Sequence, residues 1–211
     1  MRYVLCVCAM ALSSFAPAAR ADLIYHVNVD TSSIAGTAGS LDFQFNPGSQ
    51  VTQAASLDIL SFAGGLLAGG PSLTGDVTSG PLPATLTFDN GTAYNDYFEG
   101  FTFAASLSFD IRLYGPAVNA PDATSTSGST FAFSMFSDDA GTLPTLTTDA
   151  TNGFAATVDL NLDGTATVSK FSPQLEIGGS ANAVPEPGSL MLLGAGALGM
   201  LLRFTFARKS R

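Results

Sequence analysis

The sequence predicts an all-β fold, and three observations predict it. Between Asp22 and Ala183 apolar residues recur with period two, the spacing of a strand with one buried and one wet face. Clusters of Gly, Pro, Asn and Asp punctuate these runs at intervals of roughly 8 to 15 residues, as turns do in all-β domains. No stretch of ten or more residues in that span carries an apolar stripe at helical spacing. The expected architecture is a single β-sandwich, jelly-roll or Ig-like; pattern alone leaves both topologies open.

The elements follow in chain order. Tyr25 and His26 lie on a first strand, and Leu41, Phe43 and Phe45 alternate with Asp42 and Gln44 before Asn46-Pro47-Gly48 turns the chain. Leu57 and Ile59 flank Asp58, after which Ala63-Gly64-Gly65 to Gly69-Gly70-Pro71 is expected to break the pattern, because Gly and Pro both weaken strands. Leu86 and Phe88 lead into Asp89-Asn90-Gly91, where Asn-Gly is expected to supply the positive φ values of a tight turn. Phe101, Phe103, Leu107, Phe109, Ile111 and Leu113 interleave with Ser108, Asp110 and Arg112, and Phe131, Phe133 and Met135 repeat the alternation. Val158, Leu160 and Leu162 do so again, and Asp163-Gly164 is expected as a two-residue hairpin turn into Thr165 to Ser169. Pro116 to Gly128 and Asp138 to Pro144 read as surface loops of one domain, since the stretches beside them are too short for separate cores. Gly178 to Ala183 reads as a flexible linker, so the body is expected over residues 22–177.

Both ends of the chain are different. Arg2, the apolar run Val4 to Leu12 and the closing Ala19-Arg20-Ala21 make residues 1–21 a secretory signal peptide with its signal peptidase site at Ala19 and Ala21. Cys6 and Cys8 both fall inside that segment, so the mature protein holds no cysteine and relies on packing rather than disulfides. Between Asp22 and Ala183 two basic residues, Arg112 and Lys170, face 16 acidic ones, a formal charge of −14. Such a body repels nucleic acid and anionic lipid.

At the other end, Leu190 to Leu202 contains no charged or hydrogen-bonding side chain. With Ser189 and Arg203 to Phe206 it makes 18 residues, about 27 Å as a helix and close to the thickness of a bilayer core. Arg203 lies near the end, where its stem reaches the headgroups, and Arg208, Lys209 and Arg211 form a basic cluster that stays cytoplasmic. Pro185 and Pro187 stop the helix from extending backward, leaving Val184 to Pro187 as an extended strip of the kind a protease cleft accepts.

Val184-Pro185-Glu186-Pro187, the Gly/Ala/Leu helix and the basic end, taken in that order, resemble the PEP-CTERM sorting signal over residues 184–211. The segments Leu41 to Gly48 and Asn95 to Phe98 are similar to those of PEP-CTERM cargo proteins. The resemblance implies recognition by an exosortase, a membrane protease that cuts at or near the motif, and a place beside exopolysaccharide production. In this chain the basic cluster is diluted by Phe204 to Ala207.

Residues that carry chemistry are few. His26 is the only histidine, so a Ser/His/Asp triad rests on that one imidazole and a zinc site lacks ligands; it reads as a surface or edge residue. Asp96 and Glu99 are the tightest acidic pair beside aromatics, the composition of a glycoside hydrolase pair, and equally of a polar turn flanked by core aromatics. Asp159-x-Asn161-x-Asp163-Gly164 matches half of a calcium loop, but Lys170 stands where its last ligand belongs, which favours the hairpin. Asn90-Gly91-Thr92 fits a glycosylation sequon that its turn already explains. Gly194 to Gly199 fits a nucleotide-binding pattern without the strand that should precede it, while Ala195 and Gly199 have the spacing of a helix contact in lipid.

The expectation is thus an exported Gram-negative cargo protein with no catalytic residue, no metal site and no resident cofactor, calcium on loop carboxylates being the one cation left open. Its partners would be the Sec translocon, signal peptidase, the inner membrane as a transient anchor, an exosortase and exopolysaccharide, with delivery to the cell surface or a biofilm matrix. The alternative from another class is a carbohydrate-binding or glycan-active protein using loop carboxylates.

Overall fold

The computed structural model of the chain describes residues 21–78 and 82–181. Ten antiparallel strands join in one continuous sheet: β1 (Leu23–Asp30), β2 (Ala38–Pro47), β3 (Ser56–Thr74), β4 (Val77–Thr78), β5 (Leu86–Asp89), β6 (Asp96–Tyr114), β7 (Ser129–Phe136), β8 (Phe154–Leu160), β9 (Ala166–Lys170) and β10 (Leu175–Ala181). The helical content among the described residues is one 3-10 turn, Ser32–Ile34, and one short helix, α1 (Pro116–Asn119). The period-two pattern therefore reads the class correctly. Leu41, Phe43 and Phe45 are fully buried while Asp42, Gln44 and Asn46 alternate with them on the other face.

β6 is the spine. One of its edges pairs with β3 from end to end; the other pairs with β2 over Asp96 to Thr102 and with β1 over Ser106 to Leu113. At the changeover the β1–β2 connection satisfies the free backbone groups: Thr31 N–H donates to Ala105 O at 3.0 Å, Gly36 N–H to Phe103 O at 2.8 Å, and Phe103 N–H to Thr37 O at 3.0 Å. Beyond β2 lie β7, β8 and β9, and beyond β1 lies β10.

Ring contacts show how far β6 bends. Tyr97 and Phe109 are twelve residues apart on it, about 40 Å along a straight strand. Yet the Phe43 ring lies 6.2 Å from Tyr97 and 5.2 Å from Phe109, and Phe109 lies 5.0 Å from Phe133 on β7. These contacts gather Phe43, Phe109 and Phe133, all at most 2 % exposed, into one core.

Several local expectations are corrected. The glycine-rich stretch after Ile59 does not end the strand: β3 runs on to Thr74, with register shifts against β6 between Leu60 and Ala63, Ala63 and Gly65, and Ala68 and Ser72. Gly64 and Gly65, at φ 111° and 144°, make this bend beside the changeover in β6. A Cβ at Gly64 would stand 2.8 Å from Leu107 Cα, so only glycine serves there. Asn90-Gly91 is not a positive-φ turn. Asn90 is instead a buried staple whose Oδ1 accepts Ala55 N–H at 2.9 Å and whose Nδ2 donates to Gln53 O and Ser129 Oγ, each at 2.9 Å.

The Asp163-Gly164 hairpin exists with three loop residues rather than two: Asn161 N–H still donates to Thr165 O at 2.8 Å, and Gly164 takes φ 77°. The flexible linker expected over 178–183 is strand as far as the described residues reach, to Ala181. Gly178 through Ala181 belong to β10 and pair with β1, from His26↔Gly178 to Leu23↔Ala181. Glycine fits here because the Tyr25 ring lies where a side chain would be: a Cβ at Gly179 would stand 2.7 Å from Tyr25 Cε1.

Candidate functional site

Two polar clusters stand out on the outer faces of the sheet. The first is built on β2, whose alternation sends Asp42, Gln44 and Asn46 away from the core. Register places Gln44 opposite Asp96 on β6, and Asp42 opposite Phe98 on β6 and Ser134 on β7. Gln44 Nε2 donates to Asp42 Oδ2 at 2.8 Å, Asn46 Nδ2 to Gln44 Oε1 at 3.2 Å, and Asn95 N–H to Asn46 Oδ1 at 2.6 Å. The Asp42 and Asp96 carboxyls meet within hydrogen-bonding reach, each only 9 % exposed.

Among the described residues no basic side chain neutralises this pair: Arg112 is held by Asp22 and Asp58, and Lys170 by Glu176. Asp42 Oδ1 finds no N–H or O–H donor among the described residues. Burial first, then the hydrogen bond and charge of Asp96, push the Asp42 carboxyl up to about 8. The neighbouring Tyr94 phenol is pushed up to about 12, again by burial and then by the charges of Asp96 and Asp42. With so little of either carboxyl open to solvent, the pair fastens β2 to β6 rather than gripping a sugar.

Asp96 and Glu99 do not form the acidic pair their spacing suggested. Both stand on β6 rather than in a turn, and three residues along a strand separate opposite faces. Asp96 turns outward to Asp42, whereas Glu99 turns into the core and accepts the Tyr97 hydroxyl. Burial and that bond raise the Tyr97 phenol. The two carboxylates cannot flank one glycosidic bond. The partner Asp96 does have, Asp42, lies on another strand; its only sequence signal was its place in the alternation of β2.

The half calcium loop resolves into separate local bonds. Asp159 accepts Thr130 Oγ1 from β7 at 2.6 Å, Asn161 Nδ2 donates to Thr165 Oγ1 at 3.0 Å, and Asp163 Oδ1 accepts Thr165 N–H at 3.0 Å. Among the described residues no group of three or more His, Cys, Asp or Glu side chains is placed to hold a metal ion.

The second cluster surrounds His26. The residue is exposed but not at an edge, since β1 pairs with β6 on one side and β10 on the other. Its Nδ1 lies 2.6 Å from Asp110 Oδ1, and both line an open concavity of about 460 Å³ together with Asn28, Ser61, Ser108 and Glu176. Sequence reading missed this grouping because its members come from four strands. Ser61 is one of two non-glycine residues with positive φ among the described residues, at 55°.

Of the expected signal peptidase site, Ala19 lies with residues 1–20 outside the described part of the chain, and Ala21 is its first described residue. Val184, Pro185, Glu186 and Pro187, the apolar helix expected after them, and Arg203, Arg208, Lys209 and Arg211 also lie outside the described part. Among the described residues no helix is long and apolar enough to cross a membrane.

No curated protein and no solved structure matches the chain. Residues 183–209 match the family model of the PEP-CTERM protein-sorting motif. That motif implies export, a membrane-associated sorting signal and an exosortase as processing partner. The chain thus carries the PEP-CTERM protein-sorting motif over its final segment, behind an all-β body.

Proposed function

We propose that this exosortase cargo supplies the cell surface or exopolysaccharide matrix of a Gram-negative bacterium with a non-enzymatic structural or adhesive β-sandwich. A signal peptide ending at Ala21 takes it through the Sec translocon. A C-terminal helix then holds it in the inner membrane, with Arg203, Arg208, Lys209 and Arg211 on the cytoplasmic side, until exosortase cuts at or near Val184 to Pro187. The observation that carries this reading is the sorting-motif match over residues 183–209. The sandwich is supported by the Phe43–Phe109 and Phe109–Phe133 ring contacts across the bent sheet, and the matrix role by a body whose formal charge of −14 keeps it from nucleic acid and anionic lipid.

The test is the intact mass of the protein recovered from its host, in wild type and in a strain lacking exosortase, with each fraction located. The reading expects a wild-type species outside the cell without residues 1–21 and the C-terminal helix, and a membrane-held species ending at Arg211 when exosortase is absent. A wild-type chain still ending at Arg211 would overturn it.

A further inference from the structure

The concavity around His26 opens on the outer face of the sheet, and its construction points to a ligand. Two rows of residues cross the outer face of the sheet here. Gly178, His26, Asp110 and Leu60 stand side by side in one, and Glu176, Asn28 and Ser108 in the next. Gly178 gives the floor no side chain, and a Cβ built on it meets nothing within 4 Å. Ser61 forms the far wall from the irregular stretch of β3, in a left-handed backbone conformation that non-glycine residues rarely adopt.

The lining decides the chemistry. Val27 and Phe109 are buried and Ile177 packs against the core, so the groups offered outward are an imidazole, an amide, two hydroxyls and two carboxylates. That mixture of donors and acceptors suits a ligand rich in hydroxyls rather than an apolar one. The floor strand β1 has both edges paired, which leaves no free backbone row for a peptide to join. His26 is already oriented: Asp110 holds its Nδ1, and its side chain is 66 % exposed, so Nε2 is available to a ligand with little ordering left to do. Each carboxylate has a basic neighbour, Asp110 the imidazole and Glu176 the Lys170 ammonium at 3.4 Å. The surrounding body is strongly acidic and repels anionic chains.

We infer that this concavity binds a neutral saccharide unit through His26, Asn28, Asp110 and the two serine hydroxyls, an inference that rests on the adhesive reading of the body. Protein purified from its host, titrated calorimetrically with cello-, manno- and galacto-oligosaccharides and with oligoalginate as the acidic counterpart, tests it. At least one neutral series should bind saturably and more tightly than oligoalginate. Gly178→Leu should fill the floor and weaken that binding tenfold or more with no fall in thermal midpoint, and His26→Ala should weaken it comparably. Absence of saturable binding to every neutral series, stronger binding of oligoalginate, or unchanged affinity in a folded Gly178→Leu protein would overturn the assignment. The reading of the sorting signal fails separately: it is decided by the intact mass, whatever the sugars do.

Discussion

Asp42→Asn replaces a carboxyl that must hold a proton by an amide that never ionises, in nearly the same volume. Asp42 is 9 % exposed, and Asp96 adds its own charge; together they move the carboxyl from the ordinary 3.8 to about 8. The sign follows from proton counting. Between about pH 4 and pH 8 the folded protein holds a proton here that the unfolded chain has released, so stability falls as pH rises. The contribution is complete below the unfolded value and is lost as pH climbs through about 8. At about 1.4 kcal/mol per pH unit the full span is on the order of 5 kcal/mol, or roughly 10 to 20 °C in thermal midpoint for a domain of this size.

The assay is thermal and urea unfolding of wild type and Asp42→Asn from pH 4 to 9 in the presence of EDTA. Subtracting one profile from the other removes contributions common to both, including Asp122, Asp138 and Asp149. These carboxylates accept hydrogen bonds that lower their values, so their stabilisation is lost in acid, with the opposite sign. The variant should match or fall slightly below wild type near pH 4 and exceed it progressively toward pH 8. The groups facing Asp42 are Gln44 on its own strand, Asp96 and Phe98 on β6, Ser134 on β7 and Tyr94 just before β6. Of these only Asp96 is a second carboxyl. Parallel profiles for the two proteins would refute a carboxyl at Asp42 raised by burial and by Asp96.

Three further outcomes follow from the packing. Phe43→Ala removes a fully buried ring in contact with Phe62, Tyr97, Phe109, Phe131 and Phe133. It should cost about 3–5 kcal/mol in urea unfolding, and a loss below about 1 kcal/mol would deny Phe43 its central place. Asn90→Ala leaves Ala55 N–H without its acceptor and breaks two more bonds, for a loss of roughly 2–4 kcal/mol; a neutral result would restore the simple turn reading. Gly39→Ala drives a Cβ into the Phe136 carbonyl oxygen and to 2.9 Å from Phe103 Cε2. It should lower stability by about 1–3 kcal/mol, with faster amide exchange along β2 and β7.

The strands were legible because their faces differ: wherever one side is buried, the period of two is written into residue polarity, as in Leu41 to Asn46 or Phe101 to Leu113. Where a strand is nearly all small residues that signal vanishes. Gly64, Gly65, Gly69 and Gly70 carry no polarity and so read as a break in β3; Gly65 pairs with Phe103, while Gly64, Gly69 and Gly70 fall at register shifts with positive φ, and β3 resumes its pairing with β6 beyond them. The same blindness applies to Gly178 and Gly179 in β10, where a ring from β1 covers the missing side chain of Gly179. Both polar clusters were hidden for another reason. Asp42 with Asp96, and His26 with Asp110, are joined by register between strands 54 and 84 positions apart in sequence, and alternation fixes the face of a residue without naming its neighbour. Asp96 and Glu99 failed as a pair through the converse fact, that nearness in sequence on a strand separates side chains across the sheet.

The order of strands also bears on where the sorting protease can act. β1 meets its outer partner only when β10 arrives, and the last paired residue, Ala181, lies two residues ahead of Ala183, where the sorting-motif match begins. With no cysteine between Ala21 and Ala181 to hold β1 in place, that pairing is its attachment on one whole edge, through seven residues from Val29↔Leu175 to Leu23↔Ala181. A cut within Val184 to Pro187 leaves every one of those pairs intact. A cut just ahead of Gly178 would strip that residue and those after it from β1 and open the floor of the His26 concavity. The position of the motif beyond β10, rather than within it, is therefore what would let a cut there release the body whole.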